Sequence, residues 1–218
     1  MRDFRFLRRL CLLGVMLLGA ARARGAGPNF NVLDYGARND GSAPATEAVR
    51  SAVAAAKAAG GGTVVFPAGR YVCGPIALVS NLVLDLEAGA VLEFPAARLP
   101  YAKGRVQGIE CLAPVPLIGG TGLENITITG HGTITTNNAD WVRMAGAPQP
   151  KTTTGAGSAF GPEWNRLLAL LQQKTPQTEE AYLAAAPFLR PAFIRAMDCR
   201  NVVIEGIHMV GAPFWSIH

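Results

Sequence analysis

Histidine and cysteine are scarce in this chain of 218 residues, which carries three of the first and four of the second. Cys11 lies in a leading apolar run, leaving Cys73, Cys111 and Cys199 for the body of the protein. Three cysteines do not make a disulfide framework, and their spacing matches no zinc site. They read as small buried hydrophobes in strands, with room for one bridge at most. Charge is thin too: Asp, Glu, Lys and Arg make up 16% of residues against 50% apolar, which excludes a disordered chain. No apolar run reaches the roughly 20 residues that a bilayer-spanning helix needs. Glycine (25) and proline (15) are plentiful, and without a three-residue period they exclude collagen and mark many turns.

The formal net charge is +5, but it is not spread evenly. Six of the 20 Lys+Arg and one of the 15 Asp+Glu fall in residues 1–26, so the rest of the chain holds 14 of each and is neutral. A nucleic-acid partner bound through a basic face therefore has no support. Arg5, Arg8 and Arg9 precede the apolar residues 10–21, and Ala21-Arg22-Ala23 then fits an A-x-A cleavage site, with Ala26 as a second candidate. Together these describe a signal peptide over residues 1–26. Arg8-Arg9 also permits a twin-arginine route. The mature chain is expected to be secreted or periplasmic, free of the membrane, and directed at an extracytoplasmic substrate. Composition points to no particular oligomeric state.

Early in the mature chain one segment has helical spacing. Val49, Ala52, Val53 and Ala56 recur at three and four residues, Thr46 is placed to cap the start, and Gly60-Gly61-Gly62 ends the run. Beyond it come short β-rich runs split by Gly, Pro and Asn: 63–66, 71–73, 76–79, 82–86 and 90–94. No helix separates them, which excludes a doubly wound α/β sheet. Three segments share a frame, each opened by an Asn with apolar residues at alternate positions: Asn81-Leu82-Val83-Leu84, Asn125-Ile126-Thr127-Ile128 and Asn201-Val202-Val203-Ile204. The 44 residues from Asn81 to Asn125 are read as two coils of about 22, within the range of solenoid repeats. Asn tolerates the left-handed conformation of a tight corner and can bond to its equivalent in the next coil. The expectation is a mainly β fold, a right-handed single-stranded parallel β-helix, with an antiparallel sandwich as the alternative. Residues 137–189 break the frame as a loop-rich insertion, with helices expected over 163–174 and 178–186.

At this point the chain resembles a known family, the polygalacturonase-like glycoside hydrolases (family 28) of the pectin-lyase-like β-helix superfamily. Phe30-Asn31-Val32-Leu33-Asp34-Tyr35-Gly36-Ala37 resembles the opening strand and turn, and the Thr46 helix with Gly60-Gly61-Gly62-Thr63-Val64-Val65-Phe66-Pro67-Ala68-Gly69 resembles the N-terminal cap. Trp141 sits where the family has a tryptophan-rich turn, and Arg190-Pro191 and Cys199-Arg200-Asn201-Val202 continue the pattern. The closing Ala212-Pro213-Phe214-Trp215-Ser216-Ile217-His218 is the most family-specific stretch, whereas many β-helices share the cap. One departure is at Asn39-Asp40-Gly41-Ser42, where the family has consecutive acids.

The resemblance implies inverting hydrolysis of a glycosidic bond in a galacturonan-like polysaccharide, by one carboxyl as general acid and others that activate water. It implies no cofactor and no metal. The family's carboxylates lie in an Asn-Thr-Asp motif and an Asp-Asp pair beyond the Pro-Phe-Trp-Ser-Ile-His motif, and neither occurs in these 218 residues. The chain therefore reads as the N-terminal portion of such a hydrolase, C-terminally truncated, with no catalytic residue of its own and inactive alone. Trp215 and His218 are the candidate substrate-binding residues, because in the family this turn borders the substrate groove. Gly130-His131-Gly132 imitates a family motif but lies in a coil turn, so His131 is expected to be structural or exposed. His208, Asp85, Glu124, Asp198 and Glu205 are expected on strand exteriors or corners. Asn125-Ile126-Thr127 matches a glycosylation acceptor, though a strand start explains it more simply. The alternative is a noncatalytic secreted β-helix that binds carbohydrate or adheres, or an inactive remnant. A lyase would need an acidic calcium cluster, which the sequence lacks.

Overall fold

The computed structural model describes residues 27–106, 109–144, 162–173, 177–186 and 189–218, and residues 1–26, read as a signal peptide, lie outside them. The same holds for 145–161, read as loop.

The chain enters through β1 (Asn29–Asn31), a 3-10 turn at Val32–Tyr35 and β2 (Asp40–Pro44), then forms α1 (Thr46–Ala58). Coils follow: β3 (Gly62–Phe66), β4 (Gly69–Val72), β5 (Ile76–Ala77), β6 (Leu82–Leu86) and β7 (Ala90–Glu93). A two-stranded excursion, β8 (Tyr101–Val106) and β9 (Ile109–Pro114), precedes β10 (Ile118–Thr121), β11 (Glu124–Gly130) and β12 (Thr133–Thr135). Three helices, α2 (Asn138–Met144), α3 (Pro162–Leu171) and α4 (Glu179–Ala185), lead to β13 (Ile194–Met197), β14 (Arg200–Ile204) and β15 (His208–Val210).

These strands stack into three parallel sheets, ordered β1-β3-β6-β11-β14, β2-β4-β7-β12-β15 and β5-β10-β13, with Ile217 adding a bridge to Ile194 in the third. The chain visits the sheets in rotation, which makes the right-handed parallel β-helix expected from the sequence. Alternation sets one side of each strand inward, so register turns single residues into columns. Val64, Leu84, Ile128 and Ile204 form the first, Tyr71, Leu92, Ile134 and Met209 the second, and Ile76, Ile118, Ile194 and Ile217 the third. Burying each such side chain contributes roughly 1.5–3 kcal/mol. Ala48, Val49, Ala52, Val53 and Ala56 lay the apolar stripe of α1 over the first coil and join the same core.

The Asn frame is realised as a ladder. Asn81, Asn125 and Asn201 have φ of 61°, 57° and 54°. Asn125 Nδ2 donates to Asn81 Oδ1 at 2.8 Å and Asn201 Nδ2 to Asn125 Oδ1 at 2.9 Å. Asn81 Nδ2 extends the row to the Gly60 carbonyl at 3.1 Å.

Several expectations are corrected. Because β6 pairs directly with β11, the 44 residues between their asparagines are one coil, lengthened by the β8–β9 hairpin, and not two. The 76 residues from Asn125 to Asn201 are likewise one coil with its helical excursion. Thr46 does not cap α1: Ala45 holds the cap position without a side-chain bond, and the Thr46 hydroxyl accepts from the Gly74 N–H at 2.8 Å, tying the helix to the next coil. Residues 138–144, inside the insertion but outside its two expected helices, form α2. The expected helices fall at α3 and α4, the second capped by Thr178 Oγ1, which accepts from the Ala181 N–H. No disulfide joins Cys73, Cys111 and Cys199, of which the first two are buried and Cys199 is half-buried in the turn before β14.

Candidate functional site

All three long excursions leave the helix at one corner, between the second and third sheets. They are the β8–β9 hairpin after β7, helices α2–α4 after β12, and residues 211–216 after β15. Stacked coils therefore bring segments far apart in sequence to the same side. Tyr101 of β8 donates its hydroxyl to the Ala186 carbonyl and accepts from the Leu189 N–H at 3.1 Å. Between them lies a shallow hollow bordered by Leu99, Tyr101, Pro114, Trp141, Met144 and Leu189. Trp141 is buried, and its indole N–H donates to Thr136 Oγ1 at 2.5 Å, so it serves as a fixed wall rather than an open face.

Trp215 is 45% exposed on this side. Its carbonyl accepts from the Phe193 N–H at 2.9 Å, and Phe214 meets its ring edge-on with centroids 5.3 Å apart. The Arg190 guanidinium lies over Phe214, 5.2 Å from its centroid, and donates to the Pro213 carbonyl at 3.0 Å. Burial pulls the Arg190 pKa down from its usual value, yet a guanidinium keeps its charge. His218 is fixed through its main chain, whose N–H donates to the Ile194 carbonyl at 3.0 Å, while its side chain is exposed. The fold thus joins Trp215 to an aromatic and cationic cluster and leaves the His218 imidazole outside it.

The remaining candidates are dispersed. His131 is exposed at its coil corner, and His208 points outward from β15 in the column of Arg70, Val91 and Thr133. Several of the acids have local partners. Glu93 accepts from Arg70 Nε at 2.7 Å, Glu110 pairs with Arg105 at 2.9 Å, Asp140 with Arg143 at 2.8 Å and Glu124 with Arg200 at 3.6 Å. Such exposed pairs add little stability. Asp85 is half-buried in β6, Asp198 occupies a turn with φ of 51°, and Glu205 is exposed. Among the described residues no group of three His, Cys, Asp or Glu could hold a metal. Asn125 commits its amide to the ladder, as its strand-start reading requires.

The sequence reading missed Arg195. It points out of β13 yet is 92% buried beneath the hairpin, as 8% exposure shows. Its Nη2 donates to the Pro114 carbonyl at 3.3 Å, and burial lowers its pKa. An Arg on a strand exterior ordinarily faces solvent, and only the unforeseen hairpin changes that.

A family model described as rhamnogalacturonase A/epimerase, pectate lyase-like, matches residues 29–85. Mannuronan C5-epimerase AlgE3 of Azotobacter vinelandii is 56% identical over 43 residues, 20% of this chain and 2% of that protein. A "Probable polygalacturonase" of Vitis vinifera is 23% identical over 199 residues, 86% of this chain and 33% of its own length. Among solved structures, a hyperthermoactive exopolygalacturonase from Thermotoga maritima superposes with a TM-score of 0.71 at 30% identity, over 85% of this chain and 42% of that one. The chain thus spans less than half the length of these relatives. Three stacked parallel sheets, the N-terminal helix and the matched opening segment make it a pectin-lyase-like parallel β-helix. Within that class its likeness is to polygalacturonases, the Thermotoga and Vitis proteins among them.

Proposed function

We propose that this chain forms the N-terminal coils of an exported, polygalacturonase-like glycoside hydrolase acting on galacturonan-like pectic polysaccharide. The observation that supports it most is the likeness to the Thermotoga exopolygalacturonase across 85% of the chain. The chemistry is inverting hydrolysis by two separated carboxyls, one protonating the leaving oxygen and the other activating water. Neither an Asn-Thr-Asp nor an Asp-Asp occurs among the 218 residues, and several of the acids at hand are tied in surface ion pairs. The part of this polypeptide is accordingly to build the scaffold and one wall of the groove, with Trp215 offering an aromatic face to a sugar ring and His218 at its edge. No cofactor or metal takes part in that reading.

Reducing-end release from polygalacturonate by the purified 218-residue polypeptide tests it. No turnover above buffer is expected, and robust turnover would overturn the assignment of the carboxylates to motifs absent from it. The alternative, a secreted β-helix that only binds carbohydrate, is favoured by the same missing carboxylates. It predicts oligogalacturonate binding of the chain without any catalytic partner segment.

A further inference from the structure

We propose that Arg190 is a positioning residue: it clamps the turn at residues 211–216 and thereby sets the ring of Trp215. The turn is anchored at both ends by main-chain bonds. Its entry follows β15, paired in register with β12, and its exit is held where the Phe193 N–H donates to the Trp215 carbonyl and the Ile194 N–H to the Ser216 carbonyl at 3.1 Å. The middle, Ala212-Pro213-Phe214, lies between these anchors and receives Arg190 from the segment that follows α4.

Arg190 makes two different contacts there. One N–H reaches the Pro213 carbonyl at 3.0 Å, and the guanidinium covers the Phe214 ring at 5.2 Å. A planar cation can satisfy a carbonyl with its edge while its face lies on an aromatic ring, which a lysine ammonium cannot imitate. Phe214 then stands against Trp215 at 5.3 Å with their planes 64° apart, a geometry in which the first ring limits the second. Half-burial strengthens the arrangement, since charge–ring and charge–carbonyl attraction gain as water is withdrawn. The main chain alone fixes where Trp215 begins, and the Arg190–Phe214 pair fixes where its indole lies. The consequence for carbohydrate rests on the reading of Trp215 given above, but the geometry does not.

The full chain labelled with 5-fluorotryptophan gives fluorine resonances from Trp141, Trp164 and Trp215, and the last is assigned with Trp215→Phe. In Arg190→Met, which keeps the aliphatic stem, the Trp215 resonance is expected to move by more than its linewidth toward its position in the unfolded chain, while Trp141 stays. An unmoved Trp215 resonance would overturn the proposal. Should Arg190→Met disturb Trp141 as well, Phe214→Leu carries the test, since it breaks the relay at the ring and leaves Arg190 in place. Titration with tetragalacturonate separates the two readings. Arg190→Met and Trp215→Ala are each expected to weaken binding about tenfold, and the double variant no further. If Trp215→Ala leaves binding unchanged while Arg190→Met still moves the resonance, the carbohydrate role of Trp215 fails and the clamp stands.

Discussion

Two buried groups show how a single residue can carry the fold. Arg195 needs room under the hairpin, and Gly104 provides it: a Cβ there would lie 3.2 Å from Arg195 Nη2. Cys111, directly opposite Gly104 in the hairpin register, is also buried. Gly104→Ala is therefore expected to push the guanidinium off the Pro114 carbonyl and lower stability by about 1–3 kcal/mol, read from the urea midpoint. An unchanged midpoint would mean that Arg195 has slack. The second group is Cys73, whose thiol is pushed up to about 12 by burial, against a smaller opposing effect of its bond with Thr46. In the unfolded chain this thiol ionises near its ordinary value of 9.0, so the folded state holds its proton where the unfolded state has lost it. Stability should fall as pH rises from about 9 toward 12, by up to about 1.4 kcal/mol per pH unit. Cys73→Ala should flatten that slope in a pH series of urea melts, and a slope that persists would place the titrating group elsewhere.

At the scale of elements, the asparagine ladder was the most legible feature and the excursions the least. An Asn at the head of three alternating segments states its own physics: a left-handed corner that few residues tolerate, and an amide with both a donor and an acceptor to pass along. The sequence spacing of 44 gave no means of telling two coils from one coil carrying a hairpin, because a strand pairs by register and not by distance along the chain. The hairpin escaped notice since Ala102-Lys103-Gly104-Arg105 lacks apolar alternation, and its burial comes from an underlying sheet and not from its own pattern. Arg195 was invisible for the same reason. Trp215 was found through its motif, whereas its dependence on Arg190 needed the turn in three dimensions. The ladder itself is testable. Asn125→Ala loses two amide bonds, each about 0.5–1.5 kcal/mol, and strains a backbone at φ 57° by about 1–2 kcal/mol. Asn125→Gly loses only the bonds. Thermal melts should place the alanine variant below the glycine variant, and the reverse order would mean that backbone strain plays no part at this corner.

For the whole molecule, a solenoid's stability passes from coil to coil, so protection depends on having covered neighbours on both sides. The coils built from β3, β4 and β6 have α1 and the first strands on one side and β11 on the other, and Val64, Phe66, Leu82 and Leu84 are fully buried. In the coil of β14 and β15 the inward positions are more open: Val202, in register with the fully buried Ile126, is 37% exposed, and Ile217, which continues the isoleucine column, is 53% exposed. The apolar gain that pays the ordering entropy of a short strand is thus smaller in this coil than in any coil with two neighbours. Native-state hydrogen exchange of the 218-residue polypeptide should therefore show a gradient. Amides of β3 and β6 should exchange at the rate of global unfolding, and those of β14 and β15 faster, through openings that leave the first coils intact. Exchange at a common rate along the whole stack would mean that the columns couple all coils into one cooperative unit despite the exposed residues at one end.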